Sequence, residues 1–417
     1  MDPKELSRFF RGKMLKDPRK MLKDPLYKSS FFIVLTSISS AAIGFFFWIF
    51  AARLYSSEEL GISVALISLM TFPISVSRFG MDQSLIRFLP KGDKNRIIST
   101  SLIVPTAIAM LFGFVILIGI DFFAPSVHIV SEYALEYLMF LAAISLLGTA
   151  GQAFIAMRKS EYYFLQSLMV NSRILLIFPL VFLGSVGVFS AVGISSILGF
   201  LISMIILWKL GIKLTRPDRG YLRSSIKYSL GNFVSTLFMT TPSSIIPLLI
   251  LGMLGAGQTA YYFIAYNFAV MIMIVPGAFS TSILVEGSHG ESLRLSTIKS
   301  LRTTYMFLIP MAAIILIFGE YILGIIGKDY IAGFGVLSLM VLSTFFSTIY
   351  GFYFSIKQIQ KKIRTMIALS ALYFALLIGF SYSLIGLGLV GVGYAYLLGC
   401  AILAIIIGIL AKHEKLW

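Results

Sequence analysis

Long uncharged runs of about twenty residues recur along the whole chain, and this feature limits its possible folds more than any other. Each run is long enough to cross a bilayer core of about 30 Å. Lipid cannot hydrogen-bond to exposed backbone groups, so such runs are expected to form α-helices. The composition agrees, because 58% of the 417 residues are hydrophobic and only 12% are charged, against about 25% charged in typical soluble domains. A soluble globular fold is therefore excluded, and short alternating segments typical of outer-membrane barrels are not visible.

The runs predict an all-α polytopic membrane protein of about twelve transmembrane helices. We place these spans at 30–53, 59–78, 97–120, 133–156, 163–184, 186–208, 229–254, 259–284, 304–326, 331–356, 365–386 and 388–411.

Basic residues predict which side of the membrane the connecting segments face. If both termini lie on the same side, all 34 Lys and Arg residues fall in segments on that side, except Arg53, Arg173 and Lys328. The positive-inside rule then places both termini in the cytoplasm and requires an even number of spans. We expect a multi-pass protein of the cytoplasmic membrane. Its net charge of +16 reflects this topology, so nucleic acid is not an expected partner.

The two halves of the chain share a hydropathy and turn pattern. A very short turn, 56–59, joins span one to a proline-bearing span two, and the turn at 255–258 does the same for spans seven and eight. Six plus six spans indicate parallel repeats, which in transporters hold the substrate site between them. The predicted organisation is a basic cytoplasmic or interfacial segment at 1–29, an N-terminal six-helix bundle at 30–208, a cytoplasmic linker at 209–228, a C-terminal six-helix bundle at 229–411 and a cytoplasmic tail at 412–417.

The N-terminal segment leaves two interpretations open. It contains a seven-residue echo, MLKDP at 14–18 and again at 21–25. Basic and apolar side chains there are typical of an anchor on anionic lipid. The alternative is a mobile tail that enforces orientation, or an extension upstream of the native start, because the prolines interrupt any long helix.

Two stretches near the first hairpin carry a family resemblance. The sequences ARLYSSEELGI at 52–62 and SRFGMDQSLIRFLP at 77–90 resemble the first outer turn and first inner loop of prokaryotic polysaccharide-export flippases. These form the oligosaccharide branch of the multidrug/oligosaccharidyl-lipid/polysaccharide exporter superfamily. The resemblance implies two six-helix bundles around a V-shaped central cavity that opens alternately to each side. It also implies movement of polyprenyl-linked glycans between leaflets, with membrane lipids and other glycan-assembly proteins as candidate partners.

Arg173 is the most informative single residue. It lies about ten positions from either end of span five, roughly 15 Å from each interface at 1.5 Å per residue. A charge within the membrane indicates a functional site, and a guanidinium matches phosphate geometry. With Gln166 and Asn171 nearby, Arg173 is a candidate site for a pyrophosphate or acidic sugar. The alternative is a structural Arg bonded to helix carbonyls or to a neighbouring span.

Weaker candidates for substrate contact lie on spans one, seven and eight. Asn232, Thr236 and Thr240, with Ser243, form a polar stripe at helical spacing on span seven, and this stripe is predicted to face the cavity. Thr36 and Ser40 on span one are better explained by close helix packing. Asn267, with Tyr262 and Tyr266, is a candidate for sugar contacts, although an aromatic belt explains the tyrosines equally well.

The remaining predictions concern arginines at span ends and prolines inside spans. Arg53 lies on the poorly charged side and is predicted either to guide anionic head groups or to pair with Glu58 or Glu59. Arg78, like Arg87, is interpreted as a topology determinant. Pro73 and Pro276 are candidate gate residues, because a proline frees a carbonyl and permits a helix to bend.

Two other function classes remain as alternatives. A drug or organic-cation antiporter would need a buried carboxylate, yet only Glu136 and Glu320 enter the spans, each near an end. A membrane glycan polymerase would need an acid or base in a roomy pocket outside the membrane, and the loops are short. No enzyme activity is predicted. Neither is a metal or cofactor, because Cys400 is the single cysteine and the three histidines lie apart.

Overall fold

The computed structural model describes residues 25–90, 92–123, 125–288 and 293–414, and all regular secondary structure in these ranges is helical. The first half, residues 25–209, contains α1 (Pro25–Leu54), α2 (Ser57–Ser77), α3 (Met81–Phe88), α4 (Lys94–Ile118), α5 (Ile120–Phe123), a 3-10 segment (Pro125–Ser131), α6 (Ala134–Ala156), α7 (Ser160–Asn171), α8 (Arg173–Leu176), a second 3-10 segment (Val181–Val186) and α9 (Gly187–Lys209).

The second half, residues 219–414, repeats this all-helical character. It contains α10 (Arg219–Thr240), α11 (Pro242–Leu254), α12 (Ala256–Ser288), α13 (Leu293–Ile326), a 3-10 segment (Lys328–Gly333), α14 (Phe334–Ile359), α15 (Ile363–Leu384), a 3-10 turn (Ile385–Leu387) and α16 (Leu389–His413). Most of the predicted segment 1–29 lies outside the described residues, including both copies of its echo except Pro25, as do residues 415–417 of the predicted tail.

Eleven helical segments in the described ranges are long and apolar enough to cross a membrane. They correspond to eleven of the twelve predicted spans, so the expectation of an all-α, multi-pass membrane protein is confirmed. The fifth predicted span is interrupted instead of continuous, and forms α7, α8 and a 3-10 segment. The break between α7 and α8 falls at Ser172, and the 3-10 segment contains a non-helical residue, Gly184, with φ of +54°.

The same helix neighbours recur in the two halves. In the first half α1 packs on α7, α2 on α4, α4 on α6, and α9 on both α6 and α7. In the second half α10 packs on α15, α12 on α13, α13 on α14, and α16 on both α14 and α15. Numbered by span within each half, the pairs are the same in both. This agreement is what two parallel six-helix repeats require, while the exact domain boundaries stay a prediction.

The halves contact one another at the face that carries the turns at Tyr55–Ser56 and Gly255, called here the turn face. There α2 packs against α11 and α12. The approach is very close, because a Cβ on Gly61 would lie 1.8 Å from the carbonyl oxygen of Ala256. A glycine at position 61 is therefore required for this contact.

A second contact closes the opposite face, which carries residues 78–90, residues 92–93 and the linker 210–218 and is called here the linker face. The hydroxyl of Ser229 donates to the carbonyl of Phe79 (2.8 Å). Gly80 follows with φ of +69°, a conformation that favours glycine. Backbone amides of the linker donate to the start of α4, from Thr215 to the Ser99 hydroxyl and from Asp218 to the Thr100 hydroxyl, both at 2.8 Å. The two halves thus meet at both faces in this structure.

Candidate functional site

A polar cavity of about 330 Å³ lies within the first half. We call it the arginine cavity. Residues from α1, α6, α7 and α8 and from the turn after α2 line it, and its polar members are Thr36, Ser40, Arg78, Gln152, Tyr163, Gln166, Ser167, Asn171 and Arg173.

Arg173 enters this cavity directly after the break that ends α7. Its guanidinium lies over the ring of Phe47, 4.8 Å from the centroid, and a Cβ on Gly44 would lie 3.3 Å from its NH2. Its Nε is buried and has no hydrogen-bond partner among the described residues. No carboxylate in that part of the chain forms an ion pair with it. The structure therefore shows a cation in a polar cavity, packed over an aromatic ring and without an anionic partner among the described residues.

Arg78 lines the same cavity, which the sequence-based interpretation did not anticipate. Its NH2 points at α6, where a Cβ on Gly148 would lie 2.2 Å away. Its NH1 pairs with Asp82 at 3.1 Å, while its buried Nε has no partner among the described residues. No direct signal for this position is present in the sequence, because an Arg after a span also satisfies the positive-inside rule. Only the packing of Arg78 against Gly148 places it beside the cavity.

Two amide side chains form the wall between α6 and α7. Gln166 is buried and donates from Nε2 to the carbonyl of Leu147 (2.6 Å), which leaves its buried Oε1 without a partner in the described structure. Asn171 is also buried and donates to the hydroxyls of Ser40 (3.3 Å) and Ser167 (3.4 Å). These bonds fix α1 against α7. Gln166, Asn171 and Arg173, singled out in the sequence, therefore do lie together.

A second cavity, of about 290 Å³, lies within the second half among α10, α11, α12, α14, α15 and α16. We call it the tyrosine cavity. None of its lining residues carries a charge at neutral pH. The rings are those of Tyr266, Tyr373 and Tyr396, and the hydroxyls are those of Thr240, Ser243, Ser343, Thr344 and Ser347.

The remaining candidate residues, on spans seven and eight, lie in different parts of the structure. Thr240 lines the tyrosine cavity, whereas Thr236 is exposed. Asn232 donates to Gln83 of the first half (3.4 Å), so it lies at the contact between the halves. Asn267 donates to the carbonyl of Phe263 in its own helix (2.8 Å) and lines neither cavity.

The candidate gate and head-group residues lie at the periphery of both cavities. Arg53 donates to the carbonyl of Ile325 (2.7 Å), and forms no ion pair within the described residues. Pro73 and Pro276 lie inside α2 and α12 and both are buried. The carbonyl that Pro73 leaves free, that of Leu69, accepts a hydrogen bond from the Tyr137 hydroxyl (3.0 Å). In the part of the chain that is described, no cluster of His, Cys, Asp or Glu has the spacing to hold a metal ion.

Solved transporter structures share this arrangement of helices. The lipid II flippase MurJ in its inward closed conformation is similar with a TM-score of 0.70, at 15% identity, over 91% of this chain and 87% of that one. An outward-facing multidrug resistance MATE family transporter of the MOP superfamily matches at 0.63 and 15% identity, over 96% of this chain and 98% of that one. A MOP superfamily transporter from Pyrococcus furiosus matches at 0.58 and 16% identity, over 94% of each chain. At these identities the likeness concerns the fold.

Sequence comparison identifies the family. No curated protein matches the whole sequence significantly. A family model described as polysaccharide biosynthesis protein matches residues 26–285, which include both conspicuous stretches of the first hairpin, all of the arginine cavity, and the first helices of the second half. The match extends over more than half of the sequence, and the chain therefore belongs to the polysaccharide biosynthesis protein family.

Proposed function

We propose that this protein is a flippase, not an enzyme, and that it moves a polyprenyl-linked oligosaccharide across the cytoplasmic membrane. The observation that carries the proposal is the arginine cavity, where the half-buried Arg173 has a buried Nε without a partner and forms no ion pair among the described residues. Membership of the polysaccharide biosynthesis protein family and the fold shared with the lipid II flippase MurJ support a glycan linked to a lipid carrier as the substrate.

The chemistry of the cavity suits a diphosphate. An unpaired buried charge is costly, so a site that keeps one is prepared for a ligand of opposite charge. Guanidinium groups bind phosphate oxygens through two parallel hydrogen bonds, and these charge-assisted bonds are short and strong. Arg173 and Arg78 each keep a buried Nε without a partner in the described structure. A diphosphate, the linkage between a polyprenyl chain and its glycan, would satisfy both.

The main alternative, an organic-cation antiporter on the same fold, is less well supported. Such a transporter needs a carboxylate at its substrate site, and neither cavity has one in its lining. The two acidic residues that enter spans, Glu136 and Glu320, are both exposed. Asp82 is the acidic group nearest to the arginine cavity, and it is already paired with Arg78.

For the mechanism we propose that the two halves rock about their contacts, with the turn face outside and the linker face in the cytoplasm. Both faces are closed here, by Gly61 against Ala256 and by Phe79 against Ser229. Opening one contact at a time would expose the cavities to one side of the membrane. Labelling of single cysteines placed after Arg96, Asp218 and Lys362 tests the orientation. All three sites are expected to react only from the cytoplasm, and reaction of any from outside would contradict the proposed topology.

The function is tested with the purified protein in liposomes that contain a fluorescent undecaprenyl diphosphate-linked sugar. Wild-type protein is expected to move the probe between leaflets, Arg173→Lys to keep part of this activity, and Arg173→Met to lose it. Because Arg173 forms no ion pair within the described residues, Arg173→Met is expected to leave the melting temperature unchanged or raise it. The exposed Arg302, changed to Met, is the matched control. Unimpaired transport by Arg173→Met would refute the assignment.

A further inference from the structure

We propose that the tyrosine cavity binds an uncharged sugar ring of the same lipid-linked glycan whose diphosphate enters the arginine cavity. The inference rests on the proposed function, because it assigns the two cavities to two parts of one substrate. The two cavities would bind parts of the substrate that differ in charge. The first half would hold the phosphates, and the second half would hold a neutral pyranose.

The rings that line the cavity are held rigidly. Tyr266 stacks on Tyr262, with centroids 5.9 Å apart and planes at 16°, and Tyr262 is hydrogen-bonded to the hydroxyl of Tyr396 (2.9 Å). Tyr373 is stacked on Tyr350 with centroids 5.7 Å apart. Tyrosine presents a large apolar face at a small cost in conformational entropy. These fixed rings therefore offer flat apolar surfaces on which the C–H face of a sugar can pack.

The serine and threonine hydroxyl groups of the cavity are oriented as acceptors. The Ser343 hydroxyl donates to the carbonyl of Met340 (2.7 Å), and the Thr344 hydroxyl to that of Val341 (2.6 Å). Hydroxyls elsewhere in the lining behave in the same way, each donating to a carbonyl of its own segment, as in Thr240, Ser243 and Ser347. A hydroxyl that has donated its hydrogen keeps lone pairs that can accept. The cavity therefore favours a ligand rich in O–H donors.

Charge and size narrow the ligand class further. The lining has no carboxylate that could offset a bound cation and no cation for a phosphate, and burying an unpaired charge is unfavourable. The volume of about 290 Å³ is sufficient for a single sugar ring. A neutral pyranose meets the requirements of shape, donor chemistry and charge together.

The test measures binding separately from transport. Full-length protein in phosphatidylcholine nanodiscs is mixed with methyl glucoside, with methyl N-acetylglucosaminide or with the negatively charged methyl glucuronide, and saturation-transfer NMR detects bound sugar. We expect a signal from the neutral glycosides and none above background from the glucuronide. Tyr266→Leu is expected to lower the neutral signal about fivefold through loss of the ring face, whereas Tyr266→Phe keeps the ring and most of the signal. Tyr382→Leu, on an exposed face of α15, is the control.

Absence of NMR signal from both neutral glycosides, an equal signal from the glucuronide, or an unchanged signal in Tyr266→Leu would overturn the proposal. If wild-type protein still moves the lipid-linked probe in that case, the tyrosine site alone is wrong. If glycosides bind but wild-type protein does not move the lipid-linked probe, the proposed function is wrong instead.

Discussion

The guanidinium of Arg53, at the end of α1, donates a hydrogen bond to the carbonyl oxygen of Ile325, at the end of α13, over 2.7 Å. The bond joins the two halves at the turn face. Carbonyls in the last turn of a helix have no partner within the helix, and they form the negative end of its dipole. The guanidinium of Arg53 supplies both the missing hydrogen-bond donor and a positive charge. The bond therefore stabilises the contact between the two halves.

The first prediction is that loss of the bond between Arg53 and Ile325 makes the two halves separate more often at the turn face. Cysteines placed at Ser57 and Gln258, in a Cys400→Ala background, are expected to cross-link efficiently, because a Cβ on neighbouring Gly257 would lie 3.6 Å from the Ser57 hydroxyl. Arg53→Ala is expected to lower the cross-linking yield, and Arg302→Ala to leave it unchanged. An unchanged yield in Arg53→Ala would mean that the bond to Ile325 does not stabilise the closed face.

The second prediction concerns the close contact at Gly61. A side chain there would collide with the backbone of Ala256, 1.8 Å away, and backbone cannot move aside as a flexible side chain can. Gly61→Val is therefore expected to hold the turn face apart, reducing both the Ser57–Gln258 cross-link and transport by about tenfold or more, since overpacking costs about 1–3 kcal/mol. Gly379→Val, at a helix position with open space around it, is the matched control. Equal cross-linking in the two variants would contradict this role for Gly61.

The sequence was informative where a single local rule determined the structure. Hydropathy predicted the helices. The charge at position 173 indicated a residue of the arginine cavity, because an intramembrane Arg is conspicuous in any membrane sequence. Position 78 was not recognised, because an Arg at a span end satisfies the positive-inside rule whether or not it faces a cavity. The interruption of the fifth predicted span was missed for a related reason, since hydropathy does not depend on local backbone conformation, such as the positive φ of Gly184.

The tyrosine cavity shows a second limit of sequence reasoning. Thr240 was singled out on span seven, but the residues opposite it, such as Ser343 and Tyr396, come from α14 and α16, more than a hundred positions away. Without the packing of these helices, isolated Ser and Tyr residues are indistinguishable from ordinary helix contacts. Asn267 shows the reverse case. It was singled out for sugar contacts, but its amide donates a hydrogen bond within its own helix.

A third prediction follows from the bond between Tyr137 and the carbonyl of Leu69. This carbonyl lacks its helical partner because Pro73 has no N–H. Tyr137→Phe would leave it unsatisfied in a buried site, at a cost of about 1–3 kcal/mol, and is expected to lower the melting temperature. Pro73→Ala restores the helical N–H, so the double variant is expected to be more stable than Tyr137→Phe alone. Additive losses in the double variant would show that Pro73 and the Tyr137 bond are not coupled.

The same bond bears on how α2 could act as a gate. Because Tyr137 lies on α6, in the same half, the flexible point at Pro73 is tied to its own bundle. Pro73→Ala alone is therefore expected to reduce transport by less than Gly61→Val does. This ranking agrees with rocking of whole halves and not with independent bending of α2.

The last prediction concerns the ion pair that joins the end of α16 to α14. Lys357 is fully buried and pairs with Glu414, which also binds Lys362 (3.3 Å) and accepts from the Tyr353 hydroxyl (3.3 Å). Partial burial raises the pKa of Glu414, but the hydrogen bond and charge of Lys357, together with those of Lys362, outweigh it and hold that pKa below its usual value.

A carboxylate with a lowered pKa stabilises the folded state at any pH above its unfolded pKa, about 4.3, and this contribution is lost as the pH falls through the lower folded value. Glu414→Gln is therefore expected to lower the melting temperature at pH 7, with the difference from wild type shrinking below about pH 4. The exposed Glu132, changed to Gln, is the control and is expected to show no such pH-dependent difference. A Glu414→Gln deficit that is constant between pH 7 and pH 3 would mean that lost packing, and not the charge of the carboxylate, causes it.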